Sequence, residues 1–392
     1  MNRNLWLLAI LQGLFLTNNV VFIAINGLVG LSLAPLGWMA TLPVMGYVVG
    51  GAMATPLVAK SQQRWGRKKS FQIGLVVALF SAALCAYAAI TRQFWLLLAA
   101  TVVAGYYNAN AQLYRFAAAE LSGAAFREKA VSLVMAGGLI GAVLGPNLAA
   151  QTRNSLEVPF AGAYVGLMLI AAIGLVMMHF VTFAPPPTAN AVQGGRPLAL
   201  IMKQPIFVVA TLAAALGYGV MNLLMAATPI AMQMCGLSFD QAAVVLEWHV
   251  IGMFAPGFFT GHLIKRFGTL TIMGVGVALN FLCVAVALAG LDFNHFLVAL
   301  FFLGVGWNFI FTGSTTLSLA TYRPEEKDRA QGAINFFTFA TLAASSFASG
   351  ALITTSGWSL LNVLSLVLIT VIGASLLWLA RQRPRTDGAP GI

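Results

Sequence analysis

Apolar stretches of about 20 residues recur from one end of this chain to the other, each long enough to cross a bilayer as a helix. Inside hydrocarbon every backbone N–H and C=O must be satisfied within its own segment, so such a chain folds as a bundle of spanning helices. Charge supports this. Only 8% of the 392 residues are charged and 60% are hydrophobic, whereas soluble domains carry about 25% charged residues. The chain is therefore read as an all-α, polytopic membrane protein. It starts Met1-Asn-Arg-Asn and runs straight into apolar sequence with no A-x-A-like site. That start reads as a first span and not as a cleaved signal.

Twelve spans are expected: Leu5–Val29, Gly37–Ala59, Phe71–Ile90, Phe94–Ala119, Ala130–Gln151 and Phe160–Phe183, then Pro205–Met232, Gln241–Ile264, Leu270–Leu291, His295–Ala320, Ala330–Thr354 and Ser359–Ala380. The longest break falls between the sixth and seventh, where Pro185-Pro186-Pro187 and Gly194-Gly195 interrupt the pattern. This divides the chain into a six-helix half (1–183), a linker (184–204), a second six-helix half (205–380) and a basic tail (381–392) expected to lack packed structure.

The net charge of +11 does not point to nucleic acid. With the N-terminus placed in the cytoplasm, all of the 21 Lys and Arg fall in cytoplasmic segments except Arg92, Arg153 and Arg115. Such a bias sets orientation and puts both termini inside. The three cysteines, Cys85, Cys235 and Cys283, lie in or beside apolar segments, which argues against a disulfide framework.

The two halves repeat. Gly66 in Gln-Arg-Trp-Gly is matched by Gly268 in Lys-Arg-Phe-Gly. Tyr107-Asn108 is matched by Trp307-Asn308, and Lys129-Ala130 by Arg329-Ala330. Paired six-span halves joined by a linker are the organisation of a secondary transporter, with its substrate held near the midplane.

Several polar side chains fall inside spans. Gln12, Asn19 and Asn26 are seven apart and share one helical stripe. That stripe faces either a neighbouring helix or a water-filled cavity. Asn108, Gln112 and Arg115 form a second stripe, and Arg115 is the one cation well inside a span. A charge there costs at least ~2.5 kcal/mol and marks a functional position by default. Glu120 is its expected partner. Glu247 is the one acid well inside a span. It is a candidate proton carrier, or a buried protonated side chain. Trp307, Asn308, Tyr106 and Tyr107 are candidates to stack on a flat organic substrate, or ordinary packing residues.

Met221-x-x-x-Met225 and His249-x-x-x-Met253 stand in adjacent spans. Residues four apart share a helix face, so each motif presents a pair of side chains to one side. Thioethers favour Cu(I), and imidazole also suits copper. The alternative is packing, because Met fills gaps in apolar helices. No phosphate-binding loop, HExxH or nucleophile elbow is present, so no enzyme chemistry and no prosthetic group are expected.

Ser61-Gln-Gln-Arg-Trp-Gly-Arg-Lys-Lys69 resembles the loop signature of the major facilitator superfamily, with Gln63 in place of the usual Asp and Ala59 in place of Gly. Gly261-His-Leu-Ile-Lys-Arg-Phe-Gly268 resembles the weaker second copy, with Lys265 at the acidic place. The resemblance implies that Arg64, Gly66, Arg67, Arg266 and Gly268 belong to a conformational-switch loop, its ionic latch weakened by the missing acids. Gly141-Ala-Val-Leu-Gly-Pro-Asn147 resembles the fifth-helix motif of the same superfamily. Within it, the paired Met and His motifs are similar to those of the CcoA-like transporter family. That family comprises bacterial copper importers that supply haem–copper oxidases and a related branch of riboflavin importers.

The resemblance implies a monomeric inner-membrane importer working by alternating access. Copper would be its cargo, entering past Met232, Met234 and Cys235 and held by Met221, Met225, His249 and Met253. Its alternative is riboflavin import, in which the Asn/Gln stripes bond the flavin, Trp307 and the tyrosines stack on it, and the methionines are packing.

Overall fold

The computed structural model describes residues 3–122, 127–183, 195–323 and 326–382. Among these, all regular structure is helical: α1 (Arg3–Leu33), a 3-10 turn (Gly37–Met39), α2 (Leu42–Ile90), α3 (Phe94–Ala111), α4 (Tyr114–Glu120), α5 (Arg127–Ala136), α6 (Gly138–Thr152) and α7 (Ala161–His179) make the first half. A short α8 (Leu198–Met202) leads into α9 (Pro205–Met234), α10 (Phe239–Phe254), α11 (Gly257–Phe267), α12 (Thr269–Ala289), α13 (Phe293–Leu319), α14 (Lys327–Thr355) and α15 (Gly357–Gln382). Most of the expected linker and nearly all of the tail lie outside the described residues.

Among the described residues, ten helices are long and apolar enough to cross a membrane, or eleven if the bent pair α10–α11 is one span. The expected fourth span falls outside that number. It is broken into α3 and α4 around Gln112 and Leu113, and its Tyr-Tyr-Asn-Ala-Asn run dilutes its apolar character. The expected second and third spans are joined as α2, which turns sharply at Gly66 (φ 76°, ψ 170°). Only glycine adopts that conformation readily. Gly268, its counterpart, has φ 85° and ψ 151°. The repeat seen in the sequence is thus a repeat of backbone shape.

Small residues let the helices approach. A Cβ on Gly137, at the α5–α6 break, would collide with the Ala9 carbonyl of α1. Gly141 and Gly145 lie against Leu16, Thr17 and Val20 of the same helix. The Gly-bearing motif of the fifth segment therefore packs backbone against backbone, as small-residue interfaces in membranes do.

The two ends of the bundle differ. At the end bearing the N-terminus, here the basic end, the hydrogen bonds among the described residues do not cross between the halves. Arg67 donates to Glu120 through Nε (2.6 Å) and also through Nη2, and its Nη1 donates to Gln62 Oε1 at 3.0 Å. Lys68 Nζ donates to the His179 carbonyl at 2.6 Å. In the second half, Glu326 accepts from Arg196 Nε (2.8 Å), Nη2 (2.7 Å) and the backbone N–H (2.7 Å), and from the Arg323 N–H (2.9 Å). These donors hold its carboxyl well below the usual range, the Arg196 guanidinium first among them, and Glu326 in turn raises Arg196.

At the far end the halves meet. Thr41 Oγ1 donates to the Ser346 carbonyl (2.5 Å) and accepts from the Gly350 N–H (2.9 Å). Trp38 sits edge-on to Phe347, and Arg153 lies over Phe239, which also meets Phe160. Deeper in, Asn147 Nδ2 donates to Glu247 Oε2 at 3.1 Å. These are the three hydrogen bonds between the halves among the described residues.

Candidate functional site

One contact between the halves is made where α10 ends. Phe254, the last residue of α10, packs against the first half's core beside Leu16 and Gly138. Its position is set by the break between α10 and α11, a 42° bend. Pro256 follows and has no N–H to continue the ladder. Asn308 on α13 secures the bend: its Nδ2 donates to the Met253 carbonyl (2.7 Å), and its Oδ1 accepts from Thr260 Oγ1 (2.7 Å). Asn308, expected to face substrate, has both ends of its amide engaged with the bent helix.

Around Phe254 stands a cluster of rings. Trp307 lies 6.3 Å from Phe254 and stacks on Phe311 at 4.9 Å with 12° between planes. Tyr218 of α9 is edge-on to both, at 5.2 and 5.5 Å. The spacing of Trp307 and Phe311 puts both on one face of α13. Sequence reasoning found Trp307 but missed Tyr218, Phe254 and Phe311. The one available signal was the four-residue aromatic spacing beside Asn308. Trp307 is 5% exposed and its Nε1 has no hydrogen-bond partner. Tyr106 and Tyr107, expected to share this role, are placed elsewhere. Tyr107 meets Phe15 edge-on at 5.7 Å within the first half, and Tyr106 packs near Ala54 and Val58.

The first half contributes Arg115. Its expected partner Glu120 is taken by Arg67, which corrects that pairing. Arg115 Nε is buried with no partner, and the guanidinium lies 4.9 Å over the Phe116 ring. Arg115 is also within electrostatic reach of Tyr218 in the other half. Asn108, on the same stripe, is buried with its Oδ1 unpartnered, while Gln112 is half-buried where α3 ends.

On α1 the expected stripe divides. Asn26 accepts from the Tyr164 hydroxyl at 2.6 Å, an interhelical bond within the first half. Gln12 is buried and Asn19 is half-buried. Glu247 is half-buried and bonded across the halves to Asn147.

Met221, Met225, His249 and Met253 are all buried. Met221 and Met225 pack in the large core cluster, as does Met253. His249 turns toward α13, where its Nδ1 meets the Leu300 carbonyl at 2.7 Å. With Nδ1 as the donor, Nε2 keeps its lone pair, and Nε2 is buried and unpartnered. That is the arrangement by which a backbone carbonyl orients a ligating histidine. Met232 is fully buried, while Met234 and Cys235 are exposed where α9 ends. In the loop copies, Arg67 is bound to Glu120, Arg64 lies 5.4 Å over Trp65, and Arg266 lies 5.2 Å over Phe267. Despite Gln63, an ionic latch is present, built with Glu120. The two surface grooves, one lined by Trp65, Lys69, Gln72, Ile73, Val76 and Val77, lie away from this centre.

Known proteins share the sequence pattern and the architecture. The pattern of the Major Facilitator Superfamily matches residues 5–283 and again 209–391. A riboflavin transporter, RfnT, of Brucella anthropi is 36% identical over 379 residues, 94% of this chain and 95% of that one. An uncharacterised transporter of the Major Facilitator Superfamily type, YddS of Bacillus subtilis, is 28% identical over 364 residues, 88% of this chain and 83% of that one. Among solved structures, a D-xylose–proton symporter superposes with a TM-score of 0.79 at 14% identity, covering 98% of both chains. The nucleoside transporter NupG superposes with a TM-score of 0.75 at 13% identity, over 96% of this chain and 99% of that one. With the all-helical bundle and its repeated halves, this makes the chain a member of the Major Facilitator Superfamily: a multi-pass membrane transporter, not an enzyme.

Proposed function

We propose that this transporter carries riboflavin, or a flat heteroaromatic solute of the same kind, by alternating access between its halves. The observation that carries the reading is the likeness, over nearly the whole of both chains, to a riboflavin transporter. The site fits such a cargo. A ring needs an aromatic wall, and Tyr218, Trp307 and Phe311 supply one beside Phe254. Its carbonyls and ring nitrogens need buried polar atoms without partners, and Arg115, Asn108 and Trp307 supply those.

Copper is the second reading, favoured by one observation: the buried, unpartnered Nε2 of His249. In that reading Met221, Met225 and Met253 complete a soft neutral site, and Cys235 stands at its entrance. Copper would be cargo and not a prosthetic group. Under either reading we place the chain in a bacterial inner membrane, with the basic end and both termini in the cytoplasm, transporting inward as a monomer.

The test is uptake by cells expressing the chain, with labelled riboflavin and radioactive copper measured side by side. Wild type is compared with a Met221→Ala/His249→Ala variant. Riboflavin accumulation that survives in the variant is expected. Copper accumulation that disappears in the variant, with no riboflavin uptake by wild type, would overturn the proposal in favour of copper.

A further inference from the structure

We infer that Arg115 is a specificity-determining residue, which reads the oxygen-bearing edge of the cargo and makes the site select an unphosphorylated ring carrying a carbonyl–NH–carbonyl edge. This rests on the reading of the cargo as a flat heteroaromatic solute.

Among the described residues, Arg115 is a cation with no carboxylate partner. A guanidinium inside a membrane is costly unless it is paired, hydrogen-bonded or hydrated. Its one acidic neighbour in sequence, Glu120, is held by Arg67 through two nitrogens. Arg115 Nε is buried and empty-handed. Its charge is within electrostatic reach of Tyr218 in the other half. A guanidinium is a donor only, with its N–H groups fixed in a planar fork. What completes it is an acceptor, and oxygen atoms at the edge of a flat ring match the plane of the fork.

Two more buried atoms narrow the ligand. Trp307 Nε1 is a second donor without an acceptor, and Asn108 Oδ1 is an acceptor without a donor. Arg115 and Asn108 belong to the first half, and Trp307 belongs to the second, within the ring cluster. Together they offer two donors and one acceptor. An imide offers the complement, two carbonyl oxygens flanking one N–H. A phosphate is a poorer match. It brings close to two negative charges, and Arg115 is the one Lys or Arg that falls well inside a span.

The experiment measures inhibition of labelled riboflavin uptake by three unlabelled competitors. Lumichrome keeps the imide edge and lacks the sugar chain. Phenazine is flat and has no oxygen edge. Flavin mononucleotide keeps the imide and adds a phosphate. In wild type, lumichrome is expected to compete at least about tenfold better than phenazine, as befits hydrogen bonds to a charged group. Flavin mononucleotide is expected to compete more weakly than lumichrome.

In Arg115→Gln, riboflavin affinity should fall about tenfold or more and the preference for lumichrome over phenazine should collapse. Arg115→Lys keeps the charge without the fork and should restore only part of the preference. The preference is a ratio, so it does not depend on how much variant is made. Binding to purified variant, followed by flavin fluorescence, separates recognition from folding. Normal riboflavin uptake with an unchanged preference in Arg115→Gln would overturn this inference alone. No riboflavin uptake by wild type would overturn the functional reading, and this inference with it.

Discussion

Asn108 and Asn308 stand on matching helices of the two halves, and they have opposite fates. Asn308 holds a bent helix together, bonded to the Met253 carbonyl and the Thr260 hydroxyl. Asn108 lies beside Gly51 of α2, with its own carbonyl oxygen unpartnered. The difference lies in the neighbours. The place of Thr260 is taken in the first half by Val58, which is buried and has no hydroxyl. The first half therefore lacks the hydroxyl that would engage the amide. One copy of a duplicated residue has become a fastener. The other is left with an unsatisfied polar atom in a membrane, where such atoms are costly without a partner. Duplication fixed the position of the amide, and divergence of its neighbour decided its use.

The latches at the basic end diverge in the same way. Glu326 is buried and takes four hydrogen bonds, two of them from backbone N–H groups. Glu120 is 56% exposed and takes one arginine. Glu326→Gln should therefore give the largest fall in thermal midpoint of the purified protein, at least double that of Glu120→Gln. The pH dependence carries the same asymmetry. The carboxyl of Glu326 is depressed in the folded state, so its stabilisation is full above the ordinary carboxylate range, about pH 4.3. It is lost as pH falls below that range toward the folded-state value. Wild type should lose stability along this acid limb, and Glu326→Gln should flatten it. A limb of equal slope in both proteins would remove Glu326 as its source.

Gly66 and Gly268 should behave alike, because both sit at positive φ with extended ψ. Gly66→Ala and Gly268→Ala should each cost on the order of 1–3 kcal/mol. Measured side by side, clearly unequal costs would break the structural repeat at its hinge. The asparagines should differ. Asn308→Leu loses two interhelical bonds at ~0.6 kcal/mol each and should also change transport, because Phe254 sits at the bend it secures. Asn108→Leu should leave the thermal midpoint close to wild type while weakening riboflavin uptake. Equal destabilisation by the two variants would show that Asn108 also has a structural partner. Last comes Glu120→Gln, an exposed pair, at about 0.2–1 kcal/mol.

How much of this was legible in the sequence follows from what each residue depends on. The apolar segments, the break between halves and the repeat depend on composition and spacing, and they are read directly. The glycine hinges are readable too, since few other residues adopt their backbone. Side-chain direction depends on helix rotation, which neighbouring helices set. The stripe of Gln12, Asn19 and Asn26 lies on one helix face as expected, yet Asn26 points to Tyr164 inside its own half. Arg115 was found by its charge, but its pairing with Glu120 was misread because Arg67, distant in sequence, reaches the same carboxylate. The aromatic wall was half visible, because Tyr218 and Phe254 come from different helices and share no spacing with Trp307. The thioether motifs remained ambiguous, since a methionine that fills a gap and one that holds an ion look the same along a chain.

The far-end closure has an energetic consequence. Three hydrogen bonds tie the halves together there, through Thr41 and Asn147. At membrane strengths of ~0.6 kcal/mol each they amount to about 2 kcal/mol, a population ratio of roughly 20- to 30-fold in favour of the closed far end. Taken by itself, that contribution corresponds to a few per cent of molecules open to the far side at rest. Cargo that binds the far-open form about 20- to 30-fold better than the other would offset that contribution.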